Sequence, residues 1–409
     1  MAKYNYKRDV FKGLTPFPFL GEVKTRVKAI EAAPDTLPQS VFNANVLADK
    51  LHPAYQCGRV IKVIEREGAK TFILAPDEGK GCAALAYFRA GQYISVALDI
   101  GGSKICRPYT LACGPQCARG ESGNTYALTV KEAAAGFAAD YILQTWTEGT
   151  EVLFSAPLGD FYYNSLRDAD HVLAVAGGSG ITPFLSMAEA IAEGIEDFNL
   201  TILYGSRRAD SILLKAELEA AAARAGGRVR LVYVLSDEAA EGYEHGLVTA
   251  ELIAKYAPEG DYSVFVCGPK AMYPFAESEI AKLNLPKRRV RFELSGEFGN
   301  PANDPAYDKA NLGREFNLRV LVRGEEYKTT CRAEQSLLSA MEGAGIRVPS
   351  DCRSGQCGWC HSRLISGEVF IPAGADGRRM ADKKFNWVHP CSTYPLSDIE
   401  IEVFPMLEG

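Results

Sequence analysis

The chain has 409 residues, of which 47% are hydrophobic and 23% charged, and its formal net charge is −6. This length predicts two or three domains, and so mild a negative charge argues against nucleic acid or an anionic membrane surface as the main partner. The sequence has neither a secretion-signal pattern at its start nor a window of about 18 apolar residues, so we expect no membrane insertion and a cytoplasmic location.

The first part of the chain predicts an N-terminal extension followed by an antiparallel barrel. The extension, residues 1–55, is mixed in composition and has one predicted helix at 41–51. From residue 58 to 158 strand-like runs alternate with turn residues, in the order RVIKVIE, KTFILAP, GQYISVALD, YALTVK and EVLFSAP. This spacing is typical of a small antiparallel β-barrel, with a helix at 136–146 before the last strand.

From residue 171 the pattern changes to strands that alternate with helices. The apolar run HVLAVAG precedes a predicted helix at 183–193, and the further strands are NLTILYG, RVRLVYVL and YSVFVCG. Predicted helices at 213–225 and 248–256 separate these strands. Such alternation indicates a parallel, doubly wound α/β sheet.

A third region follows a stretch rich in Gly, Pro, Asn and Asp, SGEFGNPANDPAYDKANLGR, which predicts a linker. After it, FNLRVLVRG and EEYKTTCRA predict a hairpin, SLLSAMEGAG a helix and DIEIEVFP a final strand. The sequence therefore predicts an α+β domain at the C-terminal end.

Four cysteines in this last region have the spacing of an iron–sulfur site. They are Cys352, Cys357, Cys360 and Cys391. The pattern C-x4-C-x2-C with a distant fourth cysteine is that of plant-type [2Fe–2S] ligands. Three thiolates from one short loop require a backbone that curls around the cluster, and Gly355 and Gly358 permit that curl.

Other chemistries also use parts of this motif. CGWCH fits covalent haem attachment, CGWC a thioredoxin-type redox pair, and C-x2-C half of a zinc site. Haem attachment would leave Cys352 and Cys391 unused, and zinc would need a second closely spaced pair that the chain lacks. A [2Fe–2S] cluster accounts for all four cysteines, and His361 then follows Cys360 by accident.

A motif suited to a flavin, RPYT, stands between two predicted barrel strands. Arg107 offers a guanidinium to a phosphate, Tyr109 an aromatic ring to one face of a flavin, and Thr110 a hydroxyl to the flavin N5 or O4. Taken alone, the pattern is more typical of a strand with a surface arginine and a packed tyrosine.

Further along the barrel, a helix start supplies a candidate phosphate site. Val130 and Lys131 precede Gly136, Phe137 and Ala138, which open the helix at 136–146. The N-terminus of a helix offers unpaired N–H groups to a phosphate.

Two turns of the α/β region have the composition of a nucleotide site. GGSGITP, with Gly178, Gly180 and Thr182, joins a buried strand to a helix, and its glycines permit close approach to a pyrophosphate. Cys267 and Gly268 end the strand YSVFVCG, at the sheet edge where ligands of doubly wound sheets bind. An ordinary buried thiol is the alternative for Cys267.

In this order RPYT, GGSGITP, YGSR and CGP resemble the ferredoxin–NAD(P)H reductase superfamily. With the iron–sulfur region last, residues 56–409 resemble the phthalate dioxygenase reductase arrangement of flavin, pyridine-nucleotide and [2Fe–2S] domains. The resemblance implies a β-grasp fold for the last domain. It also implies that the catalytic residues are Thr110 and Cys267. The flavin residues that it implies are Arg107, Tyr109, Thr110, Val130, Lys131, Gly136, Phe137 and Ala138. The nicotinamide-nucleotide residues that it implies are Gly178, Gly180, Thr182, Cys267 and Gly268.

We accordingly expect an extension at 1–55, a flavin-binding barrel at 56–165, an NAD-binding α/β domain at 166–295, a linker at 296–313 and a [2Fe–2S] ferredoxin-like domain at 314–409. Ala139 stands where the family usually has Ser or Thr, which leaves FMN open beside the favoured FAD. The family's Glu-x-aromatic pattern has two candidates here, Glu293 and Phe298.

The choice between NADH and NADPH depends on charges after two sheet strands. Asp237 and Glu238 follow RLVYVL, where NADPH-using relatives tend to carry Ser-Arg, and two carboxylates would repel a 2′-phosphate. Arg207, after Ser206 in YGSRRAD, favours the phosphate instead. We predict NADH, with NADPH as the alternative.

The predicted function is that of an NADH-dependent reductase that passes electrons from NADH to flavin, to [2Fe–2S] and to a redox protein acceptor. A flavin is needed because a hydride carries two electrons and a plant-type cluster accepts one. The alternative is an electron-transfer subunit of a larger redox complex, with electrons running towards NAD⁺ and a partner subunit performing the catalysis.

Overall fold

The computed structural model describes residues 20–32, 43–51, 53–119, 124–132, 137–293, 296 and 298–404. The chain forms two compact units, Met1–Asp49 and Lys50–Gly409. Helix α2 spans Asn43–Leu51, which confirms the helix predicted at 41–51, whereas helix α1, Leu20–Glu31, was not predicted. No helix within the described part of the chain is long and apolar enough to cross a membrane.

The larger unit begins with a curled antiparallel sheet. Its elements are β1 (Tyr55–Arg66), β2 (Ala69–Pro76), β3 (Tyr93–Ile100), β4 (Ser103–Thr110), β5 (Tyr126–Lys131), α3 (Phe137–Thr145) and β6 (Glu151–Ser155). The strand order is β4-β3-β6-β1-β2-β5, and a bridge between Leu111 and Leu128 joins the two ends of the sheet. Phe72, Tyr126 and Phe154 fill its interior. The predicted antiparallel barrel is confirmed.

One strand of this barrel differs from the prediction. The RPYT motif lies within β4, which pairs along its length with β3, and not between two strands. This strand was not predicted, because Pro108 has no N–H to donate to a neighbouring strand. Pro108 is tolerated here because β4 is the end strand of the sheet order.

The next region is a parallel sheet with helices. Its elements are β7 (His171–Gly177), α4 (Thr182–Ala192), β8 (Asn199–Ser206), α5 (Lys215–Arg224), β9 (Val229–Leu235), β10 (Glu244–His245), α6 (Ala250–Tyr256), β11 (Ser263–Cys267), α7 (Tyr273–Ala281) and β12 (Val290–Phe292). The order β10-β9-β8-β7-β11-β12 is parallel throughout. Chain progression reverses between β7 and β11, so the carboxyl ends of these two strands form the ligand crevice of such folds.

The C-terminal region is a mixed sheet packed on a short helix. Its elements are β13 (Glu315–Val322), β14 (Glu325–Arg332), α8 (Leu337–Gly343), β15 (Ser362–Ser366), β16 (Val369–Phe370), α9 (Met380–Lys384), β17 (Trp387–Val388), β18 (Tyr394–Pro395) and β19 (Ile399–Val403). The five-stranded order is β14-β13-β19-β15-β17, with β13 and β19 parallel. The apolar face of α8 is buried against this sheet, as the predicted β-grasp fold requires.

Candidate functional site

The four predicted cluster ligands converge in the C-terminal domain. Cys352, Cys357 and Cys360 lie on the loop between α8 and β15, and Cys391 lies in the turn Pro390–Ser392. The sulfurs of Cys360 and Cys391 are 3.4 Å apart. Cys357 is exposed, whereas the other three cysteines are buried. A cluster held here would therefore have one accessible edge.

Backbone N–H groups point at the sulfurs of this loop. The N–H groups of Ser354 and Cys357 donate to the sulfur of Cys352, each at 3.4 Å, and that of Gly355 donates to the sulfur of Cys391 at 3.3 Å. Such donors stabilise the negative charge of thiolate ligands. The donor set and its surroundings fit an iron–sulfur cluster.

The curl of the loop depends on glycine as predicted. Gly355 has φ +79°, and a Cβ on it would lie 2.0 Å from the carbonyl oxygen of Ala375. His361 takes no part in this arrangement of sulfurs: its Nε2 lies 2.9 Å from Asp382 Oδ1, and its ring stacks on Trp387. The interpretation of CGWCH as a fortuitous sequence agrees with these contacts.

The predicted flavin residues of β4 lie beside the C-terminal domain. Thr110 pairs with Tyr93 of β3, and burial raises the pKa of Tyr109 to about 12. Arg107 donates from Nη1 to the carbonyl of Cys106 at 2.9 Å, and the same atom lies 3.8 Å from Glu342 of α8. The motif therefore stands at a contact between two domains.

The candidate phosphate site lies at the end of β5 and the start of α3, and the Leu111–Leu128 bridge brings β5 next to the end of β4. Val130 is buried in β5, and Ala138 is buried in the first turn of α3, whose first residue, Phe137, is exposed. Gly136 lies outside the described residues. Lys131 is exposed, and its Nζ lies 3.8 Å from the place that a Cβ of Gly178 would occupy. Its ammonium group thus lies between the candidate flavin and nucleotide sites.

The two turns predicted to hold the nicotinamide nucleotide touch each other. A Cβ on Gly180 would lie 2.2 Å from the carbonyl oxygen of Cys267 and 2.5 Å from the nitrogen of Gly268. Thr182 begins α4, and its hydroxyl donates to the carbonyl of Ser179 at 3.1 Å. The sequence thus brings both glycine turns together at the crevice between β7 and β11.

The residues that bear on NADH or NADPH meet at the ends of β8 and β9. The N–H of Ser236 donates to the carbonyl of Ser206, and the N–H of Asp237 to that of Arg207, each at 3.0 Å. Glu238 already has a structural role, since its Oε1 accepts from the N–H of Ala209 at 2.6 Å. Asp237 and Arg207, both exposed, are therefore neighbours through their backbones.

Glu293 and Tyr93 mark the junction of the three domains. Glu293 follows β12 and is buried; burial raises its pKa to about 8, and the nearby Cys352 and Asp160 act in the same direction. Burial also raises the pKa of Cys267, with a further contribution from Glu293. Burial, Cys352 and Cys357 together raise the pKa of Tyr93.

Glu293 was a candidate from the sequence, whereas Tyr93 was not predicted. A signal for Tyr93 existed, because it is the residue opposite Thr110 in the β3–β4 hairpin. A backbone bond completes the junction: the N–H of Gly296 donates to the carbonyl of Cys352 at 3.0 Å. Elements of the barrel, the parallel sheet and the cluster loop therefore converge at one place.

Comparison with family models finds three domains in order along the chain. An oxidoreductase FAD-binding domain matches residues 81–163, an oxidoreductase NAD-binding domain residues 174–278, and a 2Fe-2S iron-sulfur cluster binding domain residues 320–396. The flavin model supports FAD over FMN.

Two curated proteins and one solved structure match this chain over most of their length. The ferredoxin reductase component of 3-ketosteroid-9-alpha-monooxygenase from Mycobacterium tuberculosis is 28% identical, over 82% of this chain and 92% of the relative. The glycine betaine monooxygenase reductase subunit of Chromohalobacter salexigens is 25% identical, over 84% of this chain and 94% of the relative. The structure of phthalate dioxygenase reductase matches with a TM-score of 0.58 and 25% identity, covering 86% of this chain and 98% of that one.

Proposed function

We propose that this chain is the NADH-dependent reductase component of an oxygenase system. The premise is its family: the chain is a member of the ferredoxin–NAD(P)H reductase superfamily, with its FAD, NAD and [2Fe–2S] domains in the phthalate dioxygenase reductase order. Its relatives include reductase components of two monooxygenases. The acceptor of its electrons is a separate oxygenase protein, and the chain works in the cytoplasm.

The convergence at Glu293 carries this proposal. Cys267 ends β11, which pairs with β12, and Glu293 directly follows β12. Three residues further on, the N–H of Gly296 donates to the carbonyl of Cys352 in the cluster loop at 3.0 Å. Burial raises the pKa of Tyr93, opposite the flavin motif, and Cys352 and Glu293 lie near enough to raise it further. A reductase needs this arrangement, because nicotinamide must reach flavin and flavin must lie close to the cluster. When bound, FAD accepts a hydride and the cluster carries single electrons onward.

Each cofactor has proposed residues within this framework. Arg107, Tyr109 and Thr110 orient the flavin ring system, and Val130, Lys131 and the start of α3 bind its phosphates. Gly178, Gly180 and Gly268 leave room for the nicotinamide nucleotide beside Cys267, and Thr182 fixes the start of α4. The proposed cluster ligands are Cys352, Cys357, Cys360 and Cys391.

The NADH preference rests on charge at the ends of β8 and β9. Asp237 offers a carboxylate to a ribose diol and would repel a 2′-phosphate. Arg208 is paired with Asp210 at 3.1 Å, so its charge is partly offset. Arg207 is the cation that opposes this preference.

The domain limits that we propose are 56–165 for the flavin domain, 166–295 for the nucleotide domain and 314–409 for the ferredoxin-like domain, joined by a linker at 296–313. The extension at 1–55 has no proposed role in electron transfer.

An assay of the purified holoprotein alone tests this function. We expect it to oxidise NADH with ferricyanide, a small acceptor that takes electrons directly from flavin, and with cytochrome c, a one-electron protein acceptor. NADPH should be the poorer donor in both assays. A chain that oxidises neither nucleotide without a partner subunit would contradict the proposal.

A further inference from the structure

A buried arginine links the cluster loop to the helix behind it. Arg353 directly follows the proposed ligand Cys352, and its side chain is only 1% exposed. Its Nη1 donates to Glu342 Oε1 at 2.6 Å and its Nη2 to Glu342 Oε2 at 2.8 Å. This two-pronged geometry is the strongest and most directional form of an arginine–carboxylate pair.

The same pair binds the backbone of the flavin barrel. Arg353 Nη1 donates to the carbonyl of Cys106 at 3.2 Å, and the N–H of Cys106 lies 3.4 Å from Glu342 Oε1, to which it donates. Cys106 belongs to β4, the end strand of the sheet order, whose outward N–H and C=O groups need partners when buried. Glu342 and Arg353 of the neighbouring domain therefore provide hydrogen-bond partners for the N–H and C=O of Cys106.

The flavin motif contributes a second cation to this contact. Arg107 Nη1 lies 3.8 Å from Glu342 Oε2, so the carboxylate lies between one guanidinium of the cluster loop and one of β4. The side chain of Glu342 is 3% exposed, so water screens these charges poorly. A buried ion pair gives little net stability compared with apolar residues of similar shape, but the two parallel hydrogen bonds between Arg353 and Glu342 fix its geometry.

We propose that Glu342 is a positioning residue that docks the cluster loop on β4 and so sets the separation between the flavin site and the Cys352 side of the cluster. The proposal rests on the proposed function, in which each transfer removes one electron from reduced flavin and adds one to the oxidised cluster. Glu342 acts through Arg353, Arg107 and the backbone of Cys106.

Glu342→Gln in the full-length holoprotein is the first test, because it keeps the shape and removes the charge. NADH oxidation with ferricyanide should stay near the wild-type rate, because Arg107 keeps its hydrogen bond to the carbonyl of Cys106. Reduction of cytochrome c should fall severalfold, since the rate of electron transfer declines as the flavin site and the cluster move apart. Trypsin should cleave after Lys309, in the linker, faster than in the wild type.

A double variant, Glu342→Leu with Arg353→Met, separates docking from folding. Replacing both charges leaves no buried ion unpaired, so the protein should lose less thermal stability than Glu342→Gln, and the EPR signal of the cluster should be kept. The loss in cytochrome c reduction should persist, because the bonds to Cys106 are absent. Glu368→Gln, an exposed glutamate of the same domain, is the matched control and should change none of these readouts.

Cytochrome c reduction at the wild-type rate with unchanged linker cleavage, in either Glu342 variant, would overturn the docking role. If Glu342→Gln fails to fold, the double variant decides alone. Failure of the proposed function looks different, because wild-type protein would then fail to oxidise NADH, while linker cleavage would still report whether Glu342 docks the domain.

Discussion

Gly180→Ala is the sharpest perturbation of the proposed nucleotide site. The added Cβ would lie 2.2 Å from the carbonyl oxygen of Cys267, 2.4 Å from its carbonyl carbon and 2.5 Å from the nitrogen of Gly268. These atoms are backbone, so the two turns must separate. Overpacking of this kind costs about 1–3 kcal/mol, and a shift near 1 Å at a reacting centre costs about 100-fold in rate.

The assay is stopped-flow reduction of bound flavin by NADH. We expect the rate to fall about 100-fold while flavin content and the cluster EPR signal stay unchanged, because Gly180 lies in the nucleotide crevice alone. Gly374→Ala is the control, since a Cβ there would meet nothing within 4 Å. Flavin reduction in Gly180→Ala at the wild-type rate would refute the assignment of this crevice to nicotinamide.

Three further variants test the other sites. Cys391→Ala should abolish the rhombic EPR signal of the reduced cluster and keep flavin absorbance. Cys331 is a buried thiol that is not a proposed ligand, so Cys331→Ala should keep both signals. An EPR signal that survives in Cys391→Ala would show that the ligand set is wrong. Asp237→Arg should raise kcat/KM for NADPH relative to NADH by about tenfold or more, and a wild type that already prefers NADPH would contradict our choice of NADH. Glu293, whose pKa is raised to about 8, stabilises the fold fully below its usual pKa of 4.5, and that contribution is lost as pH rises through 8. The Tm of the wild type should therefore fall more steeply between pH 5 and 9 than that of Glu293→Gln; identical profiles would show that this carboxyl is not held protonated.

Local patterns were sufficient to predict the cofactors and the domain order. The cysteine spacing and the two cluster-loop glycines belong to one short segment, so the sequence displays their chemistry directly. The GGSG turn and Cys267 lie at strand ends, and a doubly wound sheet brings such ends together. The alternation of short apolar runs likewise sufficed for the barrel and the parallel sheet.

Contacts between domains could not be predicted in this way. Arg353 and Cys106 are 247 positions apart, and nothing in either local sequence indicates the other. Arg107 was predicted to bind a phosphate, because a guanidinium pairs with anions. Its chemistry does not indicate that Glu342 of another domain lies beside it. Strand β4 was missed for a local reason, since Pro108 is compatible with a strand only at the end of a sheet.

Anaerobic mixing of the full-length holoprotein with NADH tests the order of electron transfer most directly. Flavin absorbance, cluster absorbance and the EPR signal of samples frozen at successive times follow the two centres separately. The proposed route predicts that flavin is reduced first and that the cluster signal then appears at the expense of reduced flavin. A cluster that stays oxidised beside fully reduced flavin, or that is reduced before the flavin, would contradict it.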